Sequence, residues 1–143
     1  MKKQAYTILV IAALLATIFT SAQARSDRFI TASVPFNFVI KDRALPAGEY
    51  VFALVQLGGS DAIKIQSADG HITAFVPTRS ARAKASQPKP KLVFNRYGDQ
   101  YFLSQISGLE DSTTQQLATP RAEDRLAKTE AEKKNFSIAA HKR

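Results

Sequence analysis

Beyond residue 28 the chain alternates hydrophobic and polar positions in runs of period two, the spacing of strands with one buried face. From Phe29 to Ile40, the side chains of Val34, Phe36, Phe38 and Ile40 fall on one face, against Pro35, Asn37 and Val39 on the other. Pro35 has no N–H for a ladder bond, which predicts an edge strand or a bulge there. An edge would in turn be open to a partner strand. The next strand, Glu49–Leu57, is apolar at every position from Tyr50 to Val55, as expected of a strand covered on both faces. Leu45-Pro46-Ala47-Gly48 reads as the turn joining the two, with one fixed φ and one residue tolerant of positive φ. Gly58-Gly59-Ser60-Asp61 is the following break.

A hairpin is predicted over Ala62–Ala68 and His71–Pro77 around Asp69-Gly70, a favoured pair for a two-residue type I′ turn. Setting Ala68 opposite His71 pairs Ser67 with Ile72, Ile65 with Ala74 and Ile63 with Val76. That register collects the apolar side chains on one face and leaves Phe75 as the exception, so turn chemistry and pattern agree. A further hairpin, Lys91–Tyr97 with Gln100–Ser107, turns at Gly98-Asp99. Simple alternation puts Leu92, Phe94, Tyr101 and Leu103 on one face and Val93, Tyr97, Phe102 and Ile106 on the other.

Between these hairpins, Thr78–Pro90 is small, polar and basic, and reads as a long exposed loop. After a polar stretch with one short strand around Gln115–Leu117, Thr119-Pro120 resembles an N-cap followed by proline at the first helical position. The predicted helix has Glu123 and Asp124 in its first turn and Lys133 and Lys134 in its last, matching the macrodipole. Leu126 is its only large apolar residue, so most of it should face solvent. The tail beyond it reads as frayed.

The first residues have a different pattern. Lys2 and Lys3 precede an uncharged apolar run, Ala5–Phe19, and Ser21-Ala22-Gln23-Ala24 supplies small residues at cleavage-site spacing. This is the form of a secretory signal peptide cut between Ala24 and Arg25. The apolar run falls short of the ~20 residues of a spanning helix, so contact with the membrane is expected only before cleavage. Localisation is therefore expected to be periplasmic or extracellular. The net charge of +8 falls to +6 once the two leader lysines are removed. A basic exported chain can meet anionic lipid, cell-wall polymer or nucleic acid, although charge of this size also serves solubility alone.

Catalytic signatures are missing from the sequence. Without cysteine there is no disulfide, thiolate metal site or Cys nucleophile. His71 adjoins a turn and His141 lies in the tail, and no GxSxG elbow surrounds a serine. Asp42, Asp61, Asp69, Asp99, Glu110 and Asp111 sit in turns or loops, whose own chemistry accounts for them. Glu49 alone begins an apolar strand. No HExxH, DxDxDG, GxGxxG or Walker motif occurs, so no cofactor or metal is expected. The one charge cluster is Arg79, Arg82, Lys84, Lys89, Lys91 and Arg96, with no acid between Asp69 and Asp99. These six are candidate polyanion contacts. They lack interleaved aromatics for base stacking, which argues against a specific nucleic-acid partner.

Taken together, VPFNFVIKDRALPAGEYVF, IQSADG, LVFNRYGDQYFLSQI and TPRAEDRLA resemble a group of small exported bacterial proteins of uncharacterised function. These combine a VPFxF…LPAGxY hairpin, an LVFxRYGxxYFLS hairpin and a charged helix near an RAE. The resemblance spans about residues 33–127 and implies no catalytic or ligand residue. The expected fold is all-β and mainly antiparallel, a small sandwich or partly open barrel of about six or seven strands with a C-terminal α-helix. Residues 25–118 would form the β-domain, 119–134 the helix and 135–143 a flexible tail. The leading expectation is a non-enzymatic domain with an envelope or extracellular partner. A polyanion- or membrane-surface-binding module using residues 79–96, and a hydrolase with an unrecognised site, are the alternatives.

Overall fold

The computed structural model describes residues 28–84, 86, 88–129 and 132–142. The expected signal peptide and its expected cleavage site, Ala24 and Arg25, lie outside the described residues. The chain is all-β with one C-terminal helix. Its strands are β1 (Phe29–Val34), β2 (Phe38–Ile40), β3 (Arg43–Leu45), β4 (Gly48–Leu57), β5 (Ser60–Ser67), β6 (Thr73–Arg82), β7 (Lys91–Tyr97), β8 (Gln100–Ser107), β9 (Thr113–Leu117), β10 (Lys134–Ala139) and β11 (His141–Lys142), and α1 covers Arg121–Thr129. The sheet runs β10-β7-β8-β9-β6-β5-β4-β1-β11, with β2 joined to β3 and β8. Its ladders are antiparallel except that between β2 and β8, so the sheet is mixed. Among the described residues the strands number eleven, more than the expected six or seven. The first strand is split in two, β3 is additional, and the tail supplies β10 and β11.

Each of these differences has a local cause. Pro35 falls in the gap between β1 and β2, which ends the first strand instead of marking it as an edge. β1 pairs with β4 over its whole length and with β11 at Ile30 and Thr31, so the expected docking edge is occupied there. The chain reverses not at LPAG but at Lys41-Asp42, where Ile40 faces Arg43 and Lys41 has a φ of 54°. The LPAG segment instead carries β3 into β4. Tyr50 pins it by donating its hydroxyl to the Pro46 carbonyl at 2.6 Å, and Asn37 accepts from Ala47 N–H at 3.0 Å.

Around Asp69-Gly70 the expected register holds, with Ile63 opposite Val76 and Ile65 opposite Ala74. The turn itself is different. Asp69 does not take positive φ, while Gly70 does at 77°. The reversal is closed by Gly70 N–H to the Ser67 carbonyl at 2.9 Å. Asp69 accepts from the His71 N–H at 3.0 Å and from the Ser67 hydroxyl. Those bonds, the Ser67 hydroxyl's foremost, hold its carboxyl below the usual carboxylate range.

The core gathers Ile30, Val34, Phe38, Ile40, Tyr50, Phe52, Ile63, Ile65, Leu92, Phe94, Leu103 and Ile106. Phe38 meets Tyr50 edge-on at 5.3 Å and Phe94 at 5.6 Å, so the short β2 ties β4 to β7. Burying a side chain of this size is worth roughly 1.5–3 kcal/mol. β4 buries only its Tyr50 and Phe52 face. Val51, Ala53 and Val55 on the other side stay half-buried, so the strand is not covered on both faces.

β6 extends through Thr78–Arg82, which was expected as loop, and there it leaves β5 to pair with β9. Short polar side chains make this possible. Thr78 donates to the Gln115 carbonyl oxygen, and the Gln115 amide donates to Ser80, each at 2.8 Å, which satisfies the buried Gln115.

The helix is shorter than expected, ending at Thr129, and the segment expected to fray pairs instead. Its β10 half meets β7 from Lys134↔Arg96 to Ala139↔Lys91, and β11 meets β1. The two ends of the sheet path are therefore successive pieces of one C-terminal segment.

Candidate anion-binding groove

The site begins with a single irregularity in β8. Val93 pairs with Gln105 but Phe94 pairs with Leu103, so Ser104 is an extra residue and the ladder is bulged. A bulge reverses which residues face inward beyond it. Ile106 therefore joins Leu103 in the core instead of facing away, as simple alternation had it. Gln105 and Ser107 turn outward in exchange.

Opposite them on β9 stand Gln116 and Thr114. Two outward rows result: Arg79, Gln116, Gln105 and Val93, then Ala81, Thr114, Ser107 and Lys91. The Ser107 and Thr114 hydroxyls lie 3.3 Å apart.

Ala83, Lys84, Pro88 and Lys89 flank this surface, and Ala83 and Pro90 are each held by a backbone bond. Ala83 N–H donates to the Ser112 carbonyl at 2.9 Å, and the Pro90 carbonyl accepts from Ala140 N–H at 3.0 Å. Pro90 also packs on Gly108, where a Cβ would sit 2.5 Å from the proline Cα; Gly108 further needs its φ of +90°. Between loop and sheet lies a groove of about 560 Å³ lined by Arg82, Lys84, Lys89, Lys91, Gln105, Ser107, Thr114 and Gln116, with Ala81, Ala83 and Pro88.

The structure thus brings four of the six candidate cations, Arg82, Lys84, Lys89 and Lys91, to one concavity. Arg79 lies in the adjoining row beside Gln116. Arg96 does not take part. It sits five residues from Lys91 along β7, roughly 16 Å, with its guanidinium 5.4 Å from the Tyr101 ring centre and its Nε donating to the Gly98 carbonyl. The groove lining contains no acid. The ion pairs among the described residues are Arg28–Glu110, Glu132–Lys134 and Asp111–Lys142, which leave the groove cations out. Like charges gathered in a concavity attract an anion more strongly than the same charges spread over a convex surface.

Sequence reasoning found the cations and missed the floor. Gln105, Ser107, Thr114 and Gln116 carry no motif, and their outward direction depends on the Ser104 bulge. It also missed a buried polar cluster between β7 and α1. The anchor of α1 is not Leu126 but Glu123, 2% exposed, which accepts from Asn95 Nδ2 at 2.6 Å and from the Tyr97 hydroxyl at 3.2 Å. Tyr97 packs edge-on against Phe102 at 6.0 Å. Burial, with the neighbouring Glu123 carboxylate, pushes the Tyr97 hydroxyl above the ordinary tyrosine range.

A second cleft, of about 520 Å³, lies over β1, β4 and β11 and brings Glu49 and His141 together with Thr31 and Ser33. Thr31 donates to the His141 backbone carbonyl at 3.4 Å. Among the described residues, no hydrogen bond joins the side chains of Glu49, His141 and Ser33, so the cleft lacks the linked nucleophile and base of hydrolytic sites. His71 is exposed beside its turn, apart from this cleft. The described residues contain no group of three His, Asp or Glu arranged to hold a metal ion. Comparison with protein-family models, with curated proteins and with solved structures finds no match for this chain.

Proposed function

We propose that this is an exported, non-enzymatic binding domain of the bacterial envelope or exterior, and that it holds a polyanionic partner in the groove between Ala83, Lys84, Pro88 and Lys89 and the β8–β9 surface. The convergence of Arg82, Lys84, Lys89 and Lys91 on one acid-free concavity carries the reading. Two of these cations, Lys84 and Lys89, adjoin residues held by backbone bonds, Ala83 to Ser112 and Pro90 to Ala140. The leader-like residues 1–24 supply the export half of the proposal.

The test is retention of the intact protein on immobilised heparin across a salt gradient. The wild-type chain is expected to bind at low salt and to elute as added ions screen the contacts. Replacing Arg82, Lys84 and Lys89 together by Ala should move elution to markedly lower salt, while Arg96→Ala should leave it in place. Equal retention of the triple variant and the wild type would end the proposal.

A further inference from the structure

We infer that the groove is built for a polyanion that also carries hydroxyl groups, an acidic glycan chain, and not for a bare phosphate polymer or a membrane surface. This rests on the anion-binding reading above and adds the identity of the ligand's uncharged part.

The floor of the groove is the basis. Gln105 stands directly opposite Gln116, and Ser107 directly opposite Thr114. Adjacent strands lie about 4.8 Å apart and alternate residues about 6.7 Å. The four side chains therefore form a small array of uncharged hydrogen-bonding groups, comparable in size to one sugar ring. Each of the four both donates and accepts hydrogen bonds. Vicinal sugar hydroxyls do the same, whereas a phosphodiester or polyphosphate only accepts. Against such a chain only the donor half of each floor side chain is used, and the two glutamine carbonyl oxygens gain no partner.

The amides are also available. Among the described residues, neither Gln105 nor Gln116 has its side-chain amide engaged in a hydrogen bond. Gln115, next to Gln116 on β9, by contrast uses both ends of its side chain on Thr78 and Ser80. Flanking the floor, Arg82, Lys84, Lys89 and Lys91 would meet the carboxylate or sulfate groups of the chain. A bilayer fits less well, because the floor lies recessed below the loop and Ser107 is only 3% exposed. Headgroups on a flat surface would reach the loop cations and not the amides.

The experiment compares an alginate oligosaccharide, inorganic polyphosphate and phosphatidylglycerol vesicles as ligands of the intact protein, by calorimetry or fluorescence titration. Gln105→Ala combined with Gln116→Ala should weaken alginate binding about tenfold, the effect of losing one or two neutral hydrogen bonds. Polyphosphate affinity should fall clearly less, because a chain that only accepts uses the donor half of the floor alone. Wild-type protein should not be retained by the vesicles. Alginate affinity unchanged by the floor variant, both polymers weakened alike, or tight binding to vesicles would overturn the inference. Binding of polyphosphate but not alginate would overturn it too, and leave the broader reading intact. If the Arg82, Lys84 and Lys89 triple variant bound every ligand as wild type does, the broader reading itself would fall. A melting curve unchanged in the floor variant shows that its fold is retained.

Discussion

Glu123 and Tyr97 show how a single carboxylate can fix a helix. The donors that reach Glu123, Asn95 Nδ2 and the Tyr97 hydroxyl, are both neutral and both come from β7. A buried acceptor with good donors holds its place because leaving those donors unpaired costs about 1–3 kcal/mol. The pH dependence follows from the direction of the Tyr97 shift. Its folded value lies above the unfolded one, so its contribution is complete below about pH 10. It is lost as the pH rises through the folded value, where the unfolded chain has already released the proton. Thermal stability should therefore decline above about pH 10, and Tyr97→Phe should make that decline shallower while Phe102 packing persists. Melting temperature against pH for the two proteins checks this, and superimposable alkaline limbs would contradict it. Tyr50, raised by burial and by the Asp69 charge, contributes in the same direction and remains in both proteins.

Pro90 packs on Gly108, just past the end of β8. Gly108→Ala would combine positive φ with a Cβ 2.5 Å from backbone. Strain of this kind costs on the order of 2 kcal/mol or more. The loop should shift away from β8, lowering both the melting temperature and heparin affinity; wild-type values for both would show that the loop needs no such seat. The same neighbourhood shows what the chain makes legible. The Asp69-Gly70 register could be read because two independent constraints, turn residues and alternation, coincide there. Basic residues near 79–91 could be read as a cluster because charge needs no geometry to be noticed. The floor could not, since the Ser104 bulge is one uncharged residue whose effect is to reverse a face. Polar strands such as Thr78–Arg82 and Lys134–Ala139 escaped notice for a related reason. Their stability comes from ladder bonds to neighbours distant in sequence, and they bury little that a hydrophobic pattern would reveal.

Across the whole molecule, Lys134–Lys142 occupies both ends of the sheet path. Most of this segment is exposed, with Ala140 buried at its corner and Phe136 packed edge-on to Phe36 at 5.7 Å. Without it, β7 and β1 would each present unpaired backbone, the usual template for edge-to-edge association. A chain ending at Lys133 should consequently melt lower and enter higher-mass species in light scattering, and a stable monomer would show that those edges are protected in another way. The clasp also sets an order of events. Thr31 meets His141 across 110 residues of sequence, so the first strand receives its second neighbour only after residues 141 and 142 have been made. Contacts of such long range form slowly because the intervening chain must first be ordered. A polypeptide whose first edge closes only when residues so distant arrive stays loose while the stretch between them is being synthesised.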